Sequence, residues 1–367
     1  MKSERVLVAM SGGVDSTLAA ALLQQQGYDI VGVTLHLWDY PDDGSVKGRC
    51  CAPEDVHDAR RVADQLGFPH YAFDRRELFA REVVEPFVNS YLSGTTPSPC
   101  VRCNRGVKIR ELLHVADSLE AASVATGHYA RLGGPEPHLL RGMDRDKDQS
   151  YFLHMLPADV LARLRFPLGA MTKTEVRSAA QRLGLHGADK GESQELCFVP
   201  TGRYDAFVEA RAGDRVRPGP LLDEAGRVVG EHGGIHRFTP GQRKNLGVAL
   251  GHRAFVLAVD AASGSVQLGR REQAMMDELA LGEVVVHAPS VREFCCEVVT
   301  RYRQAPVPAR VIRSGDNNAH VRLDQPLDIV APGQYAVFYD GERVLGGGVI
   351  QSTRLAIEQR KVEEVHP

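Results

Sequence analysis

The sequence predicts an α/β domain with a parallel sheet, followed by a small β-rich central domain and a C-terminal β-barrel. In the first half, short Val- and Leu-rich runs alternate with longer amphipathic stretches, which is the pattern of a parallel sheet covered by helices. After Pro200 the sequence changes to short alternating runs separated by Asp-Gly and Ser-Gly turns. The chain has 367 residues, 43% apolar and 25% charged, so it is long enough for two or three globular domains.

The first half is expected to alternate strands and helices. A strand over Arg5–Met10 reaches a glycine turn, and a helix begins at Thr17 and ends near Gly27. Further strands are expected over residues 30–37, 70–73 and 123–126. Further helices are expected over residues 53–66, 77–92, 107–119 and 173–183. The helix over residues 77–92 should be kinked at Pro86, because proline lacks a backbone N–H. We place the first domain at residues 1–200.

The second half is expected to form two domains, a central one over residues 201–279 and a barrel over residues 280–367. Residues 311–322 alternate between apolar and polar side chains. Residues 335–344 do the same on both sides of Asp340-Gly341, a dipeptide typical of tight hairpin turns. Both segments are therefore predicted to be barrel or hairpin strands. The polar tail from Ile357 onward is expected to fray.

Composition limits the partners and the compartment. Lys and Arg number 44 against 47 Asp and Glu, a net charge of −3, so any nucleic-acid surface must be a local patch. No window approaches the roughly 18 uninterrupted apolar residues of a membrane span, and no signal-peptide pattern begins the sequence. The seven cysteines are too few for a disulfide scaffold and odd in number. We expect a cytoplasmic protein without membrane association.

The strongest motif is Ser-Gly-Gly-Val-Asp-Ser at residues 11–16, between the first strand and the first helix. Glycine backbone lets successive N–H groups close on an anion, and the helix N-terminus adds attraction. The motif lacks the lysine of a Walker loop, and Asp15 would repel phosphate unless a divalent cation lay between them. We therefore expect a phosphate cradle with Mg²⁺ held indirectly by Asp15. The ordinary alternative is a plain strand-to-helix turn, which would account for the two glycines but not for the two serines and Asp15.

The cysteines form a second motif. Cys100 and Cys103 lie in TPSPCVRCN and Cys197 lies in ESQELCFVP, each beside residues expected to form loops. A CxxC pair is compatible with a redox pair, half of a metal site or two packed thiols, and a structural zinc would need a second close pair. Residues 102–110 are rich in Arg and Lys, which is expected to lower the Cys103 pKa and favour thiolate. A solvated basic helix face is the ordinary alternative.

The hexapeptide resembles the PP-loop of the ATP pyrophosphatases, whose fold is adenine nucleotide alpha hydrolase-like and which cleave ATP to AMP and pyrophosphate. Together with the cysteines, it makes the chain closely similar to the tRNA-specific 2-thiouridylase family (MnmA/TrmU). The resemblance runs the length of the chain. The motifs that carry it are MSGGVDS, the stretch from Cys50 through DARRVADQLG, TPSPCVRCNRGVKI, ATGHYARL, RGMDRDKDQSYFL, ESQELCF, TPGQRKNLGV, TRYRQ and PGQYAVFYDGERVLGGGVI.

The resemblance implies an ATP-dependent tRNA 2-thiouridylase. Such an enzyme adenylates the C2 oxygen of the wobble uridine, position 34, and replaces it with sulfur, giving 2-thiouridine, AMP and pyrophosphate. Adenylation is chemically required because the uridine oxygen is otherwise a poor leaving group. The family pattern makes Cys197 the carrier of a persulfide from a sulfur-donor protein and Cys103 the nucleophile. Sulfur transfer then leaves a Cys103–Cys197 disulfide, which an external reductant resets.

The resemblance also implies binding roles. The ATP site is expected to include Ala9, Met10, Ser11, Gly12, Gly13, Val14, Asp15, Ser16, Leu35 and Gly127. The target base is expected to meet Ser98, Pro99 and Cys100, next to Cys103. The tRNA is expected to contact His128, Lys147, Asp148, Gln149, Arg301, Tyr302 and Gln334.

Several of these residues have ordinary alternative explanations. His128 is also compatible with a hydrogen-bonded core histidine, Arg301 with a solvated strand edge, and Asp148 with a helix cap. Trp38 and Tyr40 are expected to pack rather than to stack on a base. The adjacent Cys295 and Cys296 are expected to point to opposite faces of a strand, one of them buried, and they receive no role, nor do Cys50 and Cys51.

Three alternatives to this mechanism stay open. Some family members have Asp in place of Cys100, but here Cys100, Cys103 and Cys197 would suffice for a [4Fe–4S] cluster with one open iron. A PP-loop amide ligase that makes a small metabolite would need neither tRNA nor a sulfur-carrying thiol. A non-catalytic tRNA-binding or redox protein would not need Asp15.

Overall fold

A computed structural model of the chain describes residues 3–39, 53–188, 196–199, 202–287 and 291–355. The helices are α1 (Val14–Gln25), α2 (Pro53–Leu66), α3 (Arg76–Phe79), α4 (Glu85–Leu92), α5 (Pro99–Cys103), α6 (Ile109–Ser118), α7 (Ala158–Leu161), α8 (Lys173–Arg182) and α9 (Tyr204–Ala212). The strands are β1 (Arg5–Ala9), β2 (Asp29–His36), β3 (His70–Asp74), β4 (Ser123–Ala125), β5 (Ala130–Gly133), β6 (His138–Arg141), β7 (Leu164–Arg165), β8 (Gly219–Leu222), β9 (Val228–His232), β10 (Phe255–Asp260), β11 (Ser265–Gly269), β12 (Met275–Val286), β13 (Glu293–Val299), β14 (Val307–Arg313), β15 (Ala319–Asp328), β16 (Tyr335–Asp340) and β17 (Arg343–Leu355). None of the described helices is long and apolar enough to cross a membrane. Tyr40, Cys50, Cys51 and the tail from Ile357 lie outside the described residues.

The chain divides into two compact units. The first contains the chain up to Val84, the stretch Pro99–Arg203 and the short segment Glu342–Val344. The second contains Glu85–Ser98, Tyr204–Gly341 and the chain from Leu345 onward. The domain boundaries expected at residues 200 and 279 stay a prediction.

The first unit contains the predicted parallel sheet, with strand order β3-β2-β1-β4-β7. All four neighbouring pairs are parallel, and β1 pairs with β2 from Arg5↔Asp29 and with β4 from Val6↔Ser123. The chain leaves β1 toward β2 and later returns on the other side to form β4. The strand order therefore reverses at β1, and the carboxyl ends of β1 and β4 are where such sheets bind ligands.

Helix α1 is buried nearly all around, which fixes the direction of its N-terminus. Leu18, Ala19 and Ala20 have no exposed surface, and α1 packs against α8 through Val176. Small alanine side chains allow this close approach of helices to the sheet. Fully burying a leucine such as Leu18 contributes about 2 kcal/mol, so the core holds the α1 N-terminus directly after β1.

Two predicted helices differ from the structure. The helix expected over residues 77–92 contains a π-helical turn at Ala80–Val84, directly before the predicted kink at Pro86. The helix expected from residue 107 begins earlier, at Pro99, so Cys100 and Cys103 lie on a helix that directly follows the irregular residues 95–98. Proline is well suited to the first helical position, where its missing N–H has no intrahelical partner. A second π turn at Asn104–Lys108 joins this first piece to α6.

The second unit contains the predicted β structure. Strands β10-β11-β8-β9 form one sheet, and β12-β15-β14-β13-β16-β17 form an antiparallel barrel that the β12–β17 pairing closes. Alternate residues of β14 and β15 fill the barrel core, and β16 and β17 flank the turn at Asp340-Gly341. In β13, Cys295 is exposed and Cys296 packs against the core, as expected for adjacent strand residues.

Candidate functional site

The loop after β1 is a tight glycine turn. Gly12 has a φ of +71°, and a Cβ placed there would lie 2.5 Å from the carbonyl oxygen of Asp55. The Ser11 N–H donates to the Ser16 hydroxyl oxygen over 3.1 Å, and that hydroxyl donates to the Gly13 carbonyl over 3.0 Å. These contacts fold the loop over the α1 N-terminus, where backbone N–H groups and the helix dipole favour an anion.

The loop after β4 approaches the same helix end. A Cβ on Gly127 would lie 2.9 Å from the backbone nitrogen of Ser16, so glycine is required for this approach. Nearby on the sheet, Met10 donates its N–H to Val33 over 2.8 Å, and Leu35 is buried in β2. The structure thus places Gly127 against the α1 N-terminus, and the ATP-binding roles of these residues stay a prediction.

The sequence analysis missed Lys173. Its ammonium lies 2.7 and 2.8 Å from the two carboxylate oxygens of Asp15, and the Tyr129 hydroxyl donates to Asp15 Oδ1 over 2.8 Å. Lys173 is buried, and it sits in the first turn of α8, where the helix dipole disfavours a cation. The lysine in a first helical turn was the one sequence signal, and only its burial in the structure requires an acidic partner. Asp15 therefore has a protein counter-cation.

Two metal sites come from the sequence, Mg²⁺ expected at Asp15 and an iron–sulfur cluster left open on three cysteines, and each needs a particular set of ligands. Among the described residues, no three His, Cys, Asp or Glu side chains are grouped to hold a metal ion. Cys100, Cys103 and Cys197 are all described, so the iron–sulfur alternative has no support in this structure. Mg²⁺ makes a smaller demand, since it is commonly held by one or two carboxylates plus substrate phosphates. Asp15 lies within the cradle, in the first turn of α1, and can supply one such carboxylate.

Cys103 is a buried thiol, which corrects the expectation of a thiolate. Burial raises its pKa to about 11, and the nearby ammonium of Lys108 opposes this shift without overcoming it. The expectation counted the basic residues but not the cost of placing a negative charge in the protein interior. Cys103, the exposed Cys100 and the partly exposed Cys197 form no disulfide in this structure.

His128 lies near the same lysine. Its Nδ1 is 2.7 Å from the Thr126 hydroxyl oxygen. Burial, together with the smaller effect of the Lys108 charge, lowers the pKa of His128 to about 3. His128 is therefore neutral at physiological pH and can donate or accept a hydrogen bond without changing charge. Lys108 thus lies close enough to Cys103 and to His128 to influence the pKa of each.

Cys197 is followed by an aromatic anchor. Phe198 is fully buried, and its ring lies 5.6 Å from that of Phe79 and 6.2 Å from that of Trp38, both in edge-to-face geometry. Aromatic pairs of this kind contribute about 1 kcal/mol beyond their burial. The prediction that Trp38 packs is confirmed. The anchor fixes the backbone next to a thiol that keeps partial exposure.

The segment 147–149 has internal partners. Asp148 is buried, and its Oδ1 accepts the N–H groups of Gly142 and Ser150 over 2.9 and 3.0 Å, which agrees with a capping role. Gln149 Oε1 accepts the Tyr129 N–H over 3.0 Å, and the Gln149 N–H donates to the Tyr129 carbonyl over 2.8 Å. Lys147 is half-buried. The RNA contacts expected of this segment stay a prediction.

Other predicted RNA contacts lie in the second unit. Arg301 is exposed and donates to the Ile329 carbonyl over 2.6 Å, in a turn after β13 rather than along a strand edge. The Arg303 guanidinium lies 5.2 Å from the centre of the Tyr302 ring. Ser98 ends a segment of this unit, whereas Pro99 and Cys100 belong to the first unit. The described contacts leave the RNA and base-binding roles of these residues untested.

Comparison with known proteins gives a consistent result. A family model described as the tRNA methyl transferase HUP domain matches residues 4–201, the PRC-barrel domain of the same series matches 205–270, and an aminomethyltransferase beta-barrel domain matches 277–350. A protein of Sorangium cellulosum named tRNA-specific 2-thiouridylase MnmA is 58% identical over 357 residues, covering 95% of this chain and 92% of its own. A protein of the same name from Geobacter metallireducens is 46% identical, covering 95% and 97%.

Proposed function

Because the chain belongs to the tRNA-specific 2-thiouridylase family, we propose that it thiolates uridine 34 of tRNA at the expense of ATP. The observation that carries the proposal is the structure of the first unit. That unit combines a glycine cradle at a helix N-terminus with Cys103 and Cys197, neither of which forms a disulfide. A phosphate site alone would suit many ATP-using enzymes, and the thiols make sulfur transfer the specific chemistry.

In the first step, the cradle of residues 11–16 binds the ATP phosphates. Backbone N–H groups of the loop and the α1 N-terminus attract the anion, while Lys173 offsets the negative charge of Asp15. Mg²⁺ would be held by Asp15 and the phosphates, and it would neutralise the charge of the departing pyrophosphate. The uridine C2 oxygen attacks the α-phosphorus, which forms the adenylate and releases pyrophosphate.

In the second step, a persulfide on Cys197 supplies the sulfur. Its terminal sulfur bonds to C2 and AMP departs with the original oxygen. The Cys103 thiolate then attacks the Cys197 sulfur and breaks the S–S bond, so that the electron pair remains with the sulfur on the base. The products are 2-thiouridine and a Cys103–Cys197 disulfide, and an external thiol reductant restores both cysteines.

The partners follow from this chemistry. The exposed Arg105 and Arg110 beside the Cys103 segment supply local positive charge for an RNA backbone, although the whole chain is slightly acidic. His128, Lys147 and Arg301 are the proposed contacts further along the chain. A sulfur-donor protein must deliver the persulfide to the partly exposed Cys197. A reducing cytoplasm, where tRNA is modified, is the compartment that this cycle requires.

The proposal is tested by reconstitution. Purified protein is incubated with ATP, Mg²⁺, a persulfide donor and unmodified tRNA, and the nucleosides are analysed for 2-thiouridine. We expect product with the wild-type chain and with Cys295→Ser, whose exposed thiol has no role here. We expect none with Cys103→Ser or Cys197→Ser.

Other outcomes would identify another class of protein. Release of pyrophosphate without thiouridine, unaffected by Cys197→Ser, would indicate an amide ligase. Unchanged function after Asp15→Ala would indicate a non-catalytic protein. Thiouridine formation by the double variant Cys103→Ser/Cys197→Ser would exclude the persulfide route.

A further inference from the structure

The side chain of Gln334 hydrogen-bonds to the segment that precedes α5, the helix that carries Cys100 and Cys103. Its Nε2 donates to the carbonyl oxygen of Thr96 over 2.9 Å and to that of Pro97 over 3.2 Å. A carboxamide nitrogen carries two N–H donors, which is enough for both carbonyls. Residues 95–98 lead directly into Pro99, the first residue of α5, which carries Cys100 and Cys103.

The segment cannot be held by ordinary backbone pairing. Pro97 and Pro99 have no N–H, so only one donor, that of Ser98, is available between Thr96 and Cys100. An extended piece of chain with so few donors must be held through its carbonyl groups. Gln334 supplies donors to two successive carbonyls of that segment.

The loop that carries Gln334 is itself firmly fixed. Gly333 donates its N–H to the Ile350 carbonyl over 2.8 Å, and the Ile350 N–H donates to the Gln334 carbonyl over 2.8 Å. Ile350 is fully buried in the barrel core, so this pair ties the loop to β17. An amide on such a support is fixed in position, and little entropy is lost when it binds a partner.

The backbone of Thr96 also lies close to the loop that carries Gln334. Thr96 donates its N–H to the Pro332 carbonyl over 2.8 Å, and its hydroxyl donates to that of Thr239 over 3.2 Å. Gly333 has a φ of +91°, and a Cβ there would lie 2.9 Å from the Thr96 carbonyl oxygen. Glycine is thus required for Thr96 to sit so close to this loop.

We propose that Gln334 is a positioning residue, which holds residues 96–97 so that Ser98 is preset before the target uridine arrives. The inference rests on the proposed function, in which Ser98, Pro99 and Cys100 face the base. It differs from the family-based expectation that Gln334 contacts tRNA. Because Nε2 already donates to the Thr96 and Pro97 carbonyls, an RNA contact through this nitrogen would compete with the segment.

The first test needs no RNA. Hydrogen exchange of peptides that cover residues 95–103 is compared among wild type, Gln334→Met and Gln351→Met. Methionine keeps the length and shape of glutamine without its donors, and Gln351 is an exposed residue of β17 that serves as the matched control. We expect exchange in these peptides to rise about tenfold in Gln334→Met, as the loss of two hydrogen bonds predicts, and to stay unchanged in the control. Unchanged exchange in Gln334→Met would overturn the proposal.

The second test separates positioning from RNA binding. Thiouridine formation is measured at saturating tRNA, and the tRNA Kd is measured separately for the same variants. We expect kcat to fall about tenfold in Gln334→Met while the Kd changes less than about twofold. A weakened Kd with kcat unchanged at saturation would assign Gln334 to the RNA instead.

One further variant keeps the proposal testable. If Gln334→Met does not fold, Gln334→Asn keeps the donors but shortens their reach, and should give both a smaller rise in exchange and a smaller loss of kcat. Wild-type protein that forms no thiouridine would disprove the proposed function, yet the exchange experiment would still decide whether Gln334 holds the segment.

Discussion

The cradle of residues 11–16 and helix α5, which carries Cys100 and Cys103, belong to the same unit but differ in how closely each matches the state that its proposed role needs. In the cradle, Ser11, Gly13 and Ser16 are already hydrogen-bonded in a tight turn, and Asp15 already has its counter-charge in Lys173. In α5, burial raises the Cys103 pKa to about 11, so the proposed nucleophile is a protonated thiol at physiological pH. The proposed ATP site is therefore preorganised, whereas the proposed sulfur chemistry requires Cys103 to lose its proton.

This difference makes chemical sense. An anion site costs little when empty, because water can occupy it. A reactive thiolate would be oxidised or alkylated between turnovers, and a buried neutral thiol is protected from both. Activation of Cys103 only when RNA is bound would restrict sulfur transfer to the correct complex.

The largest effect should come from Lys173, because it tests whether the cradle depends on a protein cation. Lys173→Met leaves Asp15 without its ion pair, so we expect pyrophosphate formation to fall about 100-fold, equivalent to about 3 kcal/mol of lost transition-state stabilisation. Pyrophosphate release in the presence of tRNA measures this effect. Arg182→Met, an exposed change in the same helix, is the control and should retain full activity.

A double variant sharpens the test. If Lys173 acts through Asp15, the variant Asp15→Asn/Lys173→Met should lose less activity than the product of the two separate losses, and should recover part of the stability lost by Lys173→Met. Strictly additive effects on activity and stability would show that the two side chains act independently.

The second effect concerns the shape of the cradle. Gly12→Ala places a Cβ 2.5 Å from the Asp55 carbonyl at a φ of +71°, so we expect a loss of about 3 kcal/mol in the free energy of unfolding, together with weaker ATP binding. Gly27→Ala has a similar φ of +86° but open space around the Cβ, and should cost about 1 kcal/mol. Urea unfolding of the pair measures the difference, and equal losses would rule out the steric explanation.

The third effect follows from the Cys103 pKa. Since the thiolate is the reactive form, the rate at which iodoacetamide modifies Cys103 should rise about tenfold per pH unit from pH 7 to 10. Lys108→Met should slow the reaction further because it removes the opposing positive charge, while Arg110→Met should not. Mass spectrometry of the peptide that contains Cys103 gives the rates. Saturation of the rate near pH 8 would contradict a raised pKa.

The same group links stability to pH. Its folded pKa lies above the ordinary value of 9.0, so its protonated form is favoured by folding. The resulting stability is present below pH 9 and is lost as pH rises through about 11. Cys103→Ser should remove that part of the alkaline decline in the free energy of unfolding.

The sequence predicted the two regions unequally well, for a physical reason. The cradle is local, since a strand, two glycines and a helix N-terminus lie within a dozen residues, and the parallel sheet follows from the alternation of elements. The Lys173–Asp15 pair joins residues 158 positions apart and exists only once α8 packs on α1. The Cys103 pKa depends on burial, which neighbouring sequence does not reveal, and so the basic flank predicted the wrong direction.

The smallest effect is expected at the proposed RNA contacts. Arg301→Ala removes one positive charge near a phosphate, so tRNA affinity should weaken about threefold, and the slope of log Kd against log salt should fall by about 1. Arg301 also donates to the Ile329 carbonyl, so Arg301→Lys is the matched change, which keeps the charge while altering this bond. If the slope of log Kd against log salt stays at the wild-type value in Arg301→Lys and falls in Arg301→Ala, Arg301 contacts a phosphate. If both variants keep the wild-type slope, Arg301 serves only to fix its own turn, and the RNA surface lies elsewhere on the chain.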